Sequence, residues 1–287
     1  MTPLQALALE RTVHDASLAY LWGGGGFATI LADAGIRSPL ATAMRKSLLL
    51  GTAIAASTSV IAIPLQTAAI TSAWASMFRT DLWSAFAFGT GAGLAMLAHL
   101  AICLALLGAM SFGLSRLSIL LAALALSSLA ANGHAADDIA STLSDIIHVL
   151  LATAWVGALV PFVLLMPMTA RPELRPAAVM SMFRFSRVGH VVVALVLLSG
   201  LANTLLILGH LPTDPSSPYQ LQLILKIAVA LAMACLAVVN RYLFVPIYRR
   251  DPTRSQRLLV MGASAEIALG AIAFSLVASF GIDDPAA

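Results

Sequence analysis

Eight apolar runs, each close to twenty residues or longer, occupy most of this chain of 287 residues. They lie at roughly 12–32, 46–70, 84–109, 116–133, 144–167, 185–209, 219–244 and 257–281. A backbone placed in hydrocarbon has no water to bond, so a run of this length must close its own hydrogen bonds as a helix. The fold class that follows is all-α, a polytopic membrane bundle of about eight transmembrane helices forming one domain, 1–287. Charged residues make up only 10% of the chain, against about 25% in soluble domains. Residues 1–31 make a poor signal peptide, because Arg11 comes late and Gly23 to Gly26 interrupt the apolar stretch. They are read as the first membrane helix.

The lysines and arginines predict an orientation. Thirteen of the 16 fall at one end of the runs, among them Arg37, Arg116, Arg171, Arg184 and Arg249. Arg11 and Arg79 fall at the other end, and Lys226 lies inside the seventh run. The positive-inside rule puts the thirteen in the cytoplasm and both termini outside. The basic residues are spread over short loops, which excludes a nucleic-acid surface. Cys103 and Cys235 both sit in apolar runs and build no disulfide framework.

Against this background the stretch Gly133 to Gly157 stands out. It carries His134, Asp137, Asp138, Asp145 and His148, followed by Trp155. Ionisable groups near hydrocarbon are costly and mark function by default. His14 is expected at a depth in the first helix similar to that of His148 in the fifth. His14, His134 and His148, with Asp137, Asp138 and Asp145, are therefore candidate ligands of a soft-to-borderline cation arriving from outside. The same histidines also suit helix ends, bonded to backbone or water. Met96, His99 and Cys103 share one face of the third helix by their spacing of three and four. Sulfur with imidazole suits a soft ion, while Met and Cys are also ordinary membrane core. His190 and Glu266 complete a candidate pathway, Glu266 being the one acid placed well inside a run. Lys226 fits either a snorkelling cation or a counter-charge. Pro64, Pro161 and Pro246 are expected to kink or end helices, and the glycines to serve close packing.

An internal repeat is also a candidate. His14, Trp22 and Gly23 find counterparts in His148, Trp155 and Gly157, and Cys103 in Cys235, at offsets of 134 and 132. The halves would be 12–133 and 144–281, two parallel four-helix units; chance likeness between Ala/Leu-rich helices is the competing reading.

Several motifs together resemble a known family. They are Gly133-His134, then His148-x6-Trp155-x-Gly157, Arg184-Phe-Ser-Arg187, Ser199-Gly-Leu-Ala-Asn203, Leu225-Lys226, Asn240-Arg241 and Ser264-x-Glu266. The pattern resembles the CopD (copper resistance protein D) family of bacterial inner-membrane proteins over 130–281. Residues 1–130 share mainly the helix count and His14. The resemblance implies a copper ion, Cu(I) or Cu(II), taken up from the periplasm across the inner membrane. It also implies a small periplasmic copper-binding protein as a partner, beside the lipid bilayer. No phosphate-binding loop is present, so direct ATP coupling is not expected; the chain is read as a non-enzyme, with a membrane metal reductase as the open alternative. Two other functions compete. One is a membrane oxidoreductase holding b-type haem between His14 and His148, or between His99 and His190. The other is a copper-linked scaffold or sensor without transport.

Overall fold

The computed structural model describes residues 1–129, 139–248 and 250–280. Helix α1 (Pro3–Ala19) continues through π turns at Tyr20–Gly24 and Phe27–Leu31, so the first apolar run is helical throughout. Then come α2 (Ala34–Ile70), α3 (Thr80–Gly89), α4 (Gly91–Ser111), α5 (Ser115–Leu129), α6 (Ile139–Met168), α7 (Arg175–Leu208) and α8 (Pro218–Val239). A π turn at Asn240–Phe244 links α8 to the short α9 (Val245–Ile247), and α10 (Pro252–Phe280) follows. The result is a helical membrane bundle. Among the described residues six helices have the length and apolar character to cross a membrane, and α5 is a shorter apolar helix. Large apolar side chains such as Leu50, Val60, Leu104, Leu120 and Leu198 are exposed, as a lipid-facing surface requires.

Local chemistry sets the ends. Thr2 and Gln5 form a capping box on α1, with Pro3 at its first position. Asp33 caps α2 by accepting from the Gly35 N–H. Gly209 ends α7 at φ +74°, a conformation open to glycine without a side-chain penalty. The run 84–109 is not one helix. Thr90 is extended and caps α4 through Gly93, which separates α3 from α4. The turn is tight: a Cβ on Gly93 would lie 2.1 Å from the Phe86 carbonyl oxygen. Pro64 and Pro161 lie inside continuous helices, and Pro246 follows the last π turn.

The basic end is tied together by polar contacts. Arg184 meets Asp33 at 3.1 Å, and the Asp33 N–H donates to the Ser181 hydroxyl at 2.8 Å. Arg175 donates to the Thr169 carbonyl. At the opposite end Arg79 and Asp81 form an exposed pair at 2.6 Å. The Arg79 hydrogen bond holds the Asp81 carboxyl below its ordinary pKa.

The centre of the bundle is the crossing of α1 and its π turn with α6. A Cβ on Gly157 would lie 1.9 Å from the Ala19 carbonyl oxygen, and one on Gly23 would lie 2.6 Å from that of Ala154. Each glycine thus admits the other helix's backbone, as small residues do where membrane helices touch. The Trp22 indole crosses the same seam and donates to the Leu150 carbonyl at 2.9 Å. Gly157→Leu should therefore lower the thermal midpoint in detergent, by the equivalent of about 1–3 kcal/mol for an overpacked site. Gly26→Ala, where a Cβ would meet nothing, should leave the midpoint close to wild type in the same melting experiment.

Candidate metal centre

Four helices build the site. α1 supplies His14, α2 supplies Thr58, α4 supplies His99 and Cys103, and α5 supplies Ser128. Both histidines and the cysteine are buried. His14 Nε2 lies 2.8 Å from His99 Nε2, and Cys103 Sγ lies 3.4 Å from that same His99 nitrogen. The three ligand atoms all fall within 4.8 Å of one another. Among the described residues this is the one group of three His, Cys or acidic side chains close enough to hold a single ion.

The far side of each ring is anchored. His14 Nδ1 sits 2.7 Å from the Thr58 hydroxyl, and His99 Nδ1 sits 2.8 Å from that of Ser128. Each hydroxyl spends its own proton on a backbone carbonyl of its helix: Thr58 on Ile54 at 2.8 Å, and Ser128 on Ala125 at 2.8 Å. With its proton so used, each hydroxyl is set to accept from the imidazole, which favours the ring proton on Nδ1. Two Nε2 lone pairs are left facing each other. That juxtaposition is repulsive until a cation, a proton or a metal ion, lies between them. Hydroxyl or carbonyl partners on the distal nitrogen are how proteins orient metal-binding histidines.

The arrangement regroups the residues singled out in the sequence. His14, expected beside His134 and His148, instead joins His99 and Cys103 within the first half of the chain. His134, Asp137 and Asp138 lie outside the described residues. His148 is buried on α6 with Nδ1 3.0 Å from the Ser199 hydroxyl, and a Cβ on Gly200 would press its ring at 3.2 Å. Asp145 accepts from Asn203 at 3.1 Å, and Ser144 donates to the same amide. The motif at 199–203 thus faces the polar turn of α6. Lys226 is in electrostatic reach of both Asp145 and His148, so it is a counter-charge. Met96, half-buried, precedes His99 by one turn.

His190 and Glu266 line a separate cavity of about 580 Å³. His190 is exposed, with Nδ1 2.6 Å from the Ser186 carbonyl and Nε2 3.3 Å from the Tyr242 hydroxyl. Glu266 is buried and accepts from Asn240 at 2.6 Å. For haem, two axial nitrogens must sit on opposite sides of an iron. Here His14 contacts His99 directly, in place of the pairs His14–His148 and His99–His190. The sequence reading missed Thr58 and Ser128. The signal for them was there, in the hydroxyl clusters Ser57-Thr58-Ser59 and Ser127-Ser128 inside otherwise apolar runs.

Residues 1–141, which hold the whole site, match the family described as copper resistance protein D-like, N-terminal domain. Residues 179–280 match copper resistance protein D. The chain therefore belongs to the copper resistance protein D family. It is 35% identical over 139 residues to the inner membrane protein YebZ of Escherichia coli, covering 48% of this chain and 47% of that one. It is 31% identical over 179 residues to copper resistance protein D of Pseudomonas syringae pv. tomato, covering 58% of each. The chain thus spans about half the length of the curated relatives it matches. No solved structure matches it.

The tautomers are open to measurement. Nitrogen-15 NMR of the metal-free protein should find Nδ1 protonated in both His14 and His99. Thr58→Val should remove that preference in His14 alone; equal mixtures of both tautomers in the wild type would overturn the assignment.

Proposed function

We propose that this chain is a copper-handling protein of the bacterial inner membrane, which captures Cu(I) between His14, His99 and Cys103 and passes it across the bilayer. The observation that carries the reading is the buried set of three ligand atoms within 4.8 Å. An ion about 2.0–2.3 Å from two imidazoles and a thiolate spaces its donors by about 3.5 Å. The 2.8 Å and 3.4 Å separations reach that spacing with shifts of tenths of an ångström. Two imidazoles and one sulfur suit a soft monovalent ion. The Cys103 thiol must lose its proton to bind, so copper and protons compete for the site.

Two further parts of the reading rest on charge. The basic loops are cytoplasmic and both termini periplasmic, which puts the capture site in the periplasmic half. Capture is at His14 and not at His148, because the Lys226 ammonium already opposes a second cation beside Asp145 and His148. A small periplasmic copper-binding protein would deliver the ion, and the chain moves it without covalent chemistry of its own.

Competition titration against a Cu(I) chelator should show affinity falling by at least about tenfold in His14→Ala, His99→Ala and Cys103→Ser, the scale of one lost charge-assisted ligand. Asp145→Asn should change it little. Copper accumulation in cells making the His14→Ala/Cys103→Ser double variant should match that of cells without the protein. Full accumulation in that variant, at normal expression, would sink the proposal.

A further inference from the structure

α7 and α8 make almost no contact with each other. A cavity of about 580 Å³ lies between them, backed by α6 and α10. Its α6 wall runs from Trp155 to Thr169, about 21 Å of helix. One leaflet's share of the hydrocarbon is about 15 Å, so the space is long enough for an acyl chain. Its sides are apolar, with Phe162, Val193, Leu197, Ala234 and Val238. The polar groups gather at two levels. At the deep level Glu266 accepts from the Asn240 amide and the Trp155 indole, so its charge is met by the protein itself. The other level, toward the basic end, is a set of donors.

Arg241, Ser186 and Tyr248 line the cavity there. Phe183 lines it too, and two guanidiniums converge on its ring, Arg187 at 5.0 Å and Arg241 at 5.7 Å from the centroid. Arg184 on the same helix is paired with Asp33. Among the described residues no acid pairs with Arg187 or Arg241, and the Ser186 and Tyr248 hydroxyls have no side-chain partner. Two like charges gathered at one ring repel each other until an anion joins them, and the guanidinium fork matches phosphate oxygens. Depth decides where the phosphate comes from. α7 has 34 residues, about 51 Å, against about 30 Å of hydrocarbon. With Leu208 at one boundary, the other falls near Gly189, between Arg187 and His190. The donors thus stand at the level of lipid headgroups, at the mouth of an apolar space, and basic pockets between membrane helices hold anionic headgroups. A choline group finds no seat, because the aromatic face that a quaternary ammonium would take is already occupied by guanidinium.

We propose that this cavity seats an anionic phospholipid, its phosphate held by Arg187, Arg241 and the Ser186 and Tyr248 hydroxyls, and one acyl chain lying in the apolar space between α7 and α8. The site shares no residue with the metal centre, and its occupancy does not depend on the copper reading.

The test is native mass spectrometry of the full chain, released from detergent holding equal amounts of phosphatidylglycerol and phosphatidylcholine. Phosphatidylglycerol should bind at least about tenfold more tightly, the worth of one hydrogen bond between charged groups. The Arg187→Gln/Arg241→Gln double variant should bring it down to the level of phosphatidylcholine. Arg116→Gln, exposed at the start of α5, should keep the full preference. Ala237→Trp, which places an indole in the cavity, should weaken binding of both lipids. Equal affinity of the unaltered protein for the two lipids would overturn the proposal, and so would an undiminished preference in the double variant or full binding in Ala237→Trp. Displacement of phosphatidylglycerol by inorganic phosphate would make this a site for the free ion and overturn the lipid.

Discussion

Imidazole carries two nitrogens, and a buried ring must satisfy both without water. In the three buried rings among the described residues one nitrogen is met the same way. A hydroxyl on a neighbouring helix, its own proton committed to a backbone carbonyl, accepts from Nδ1. Thr58 does this for His14, Ser128 for His99 and Ser199 for His148. Such a hydroxyl costs the apolar helix little, since its proton stays within the helix's own turn. It also fixes the ring's orientation and tautomer before any ligand arrives. The Nε2 lone pair is then aimed by the fold, and what stands opposite decides the chemistry. For His14 that is another Nε2 with a cysteine sulfur beside it.

The crossing of α1 and α6 holds this geometry in place. Gly23 and Gly157 let two backbones approach to a distance that any side chain would forbid. His14 is then carried on a helix whose lower turns are locked by α6 and whose upper face meets α2 and α4. Nothing comparable locks α7 to α8, and the bundle keeps a cavity where that contact is missing.

Much of this was legible in the chain itself. Runs of twenty apolar residues force helices because the alternative leaves backbone groups unbonded in lipid, and the structure forms helices in all eight. The residues of chemical interest were also visible, since His14, His99, Cys103 and Glu266 are anomalies in apolar surroundings. Their grouping was not. Depth along a helix says how far a side chain lies from the membrane surface, but not which way it points around the axis. His14 and His148 were assigned to one site by matching depth, and helix rotation instead turned His14 toward α4. The break at Thr90 was likewise hidden, because Phe86 to Leu94 stays apolar or small across a turn that only backbone geometry reveals.

The candidate repeat gains a physical meaning when its two halves are compared position by position. His14 and His148 both keep an anchoring hydroxyl, on α2 and α7 respectively. Beyond that they part. The offset that relates Cys103 to Cys235 relates His99 to Leu231, and both Cys235 and Leu231 are exposed. No imidazole or thiolate from α8 can therefore complete a site around His148 in the way α4 completes one around His14. What α8 sends toward it is Lys226, a cation tethered to the chain and balanced by Asp145. A fixed ammonium and an exchangeable metal ion answer the same electrostatic need, a positive charge among polar groups in hydrocarbon. The second half supplies that charge itself; under the proposed function the first half receives it as a metal ion.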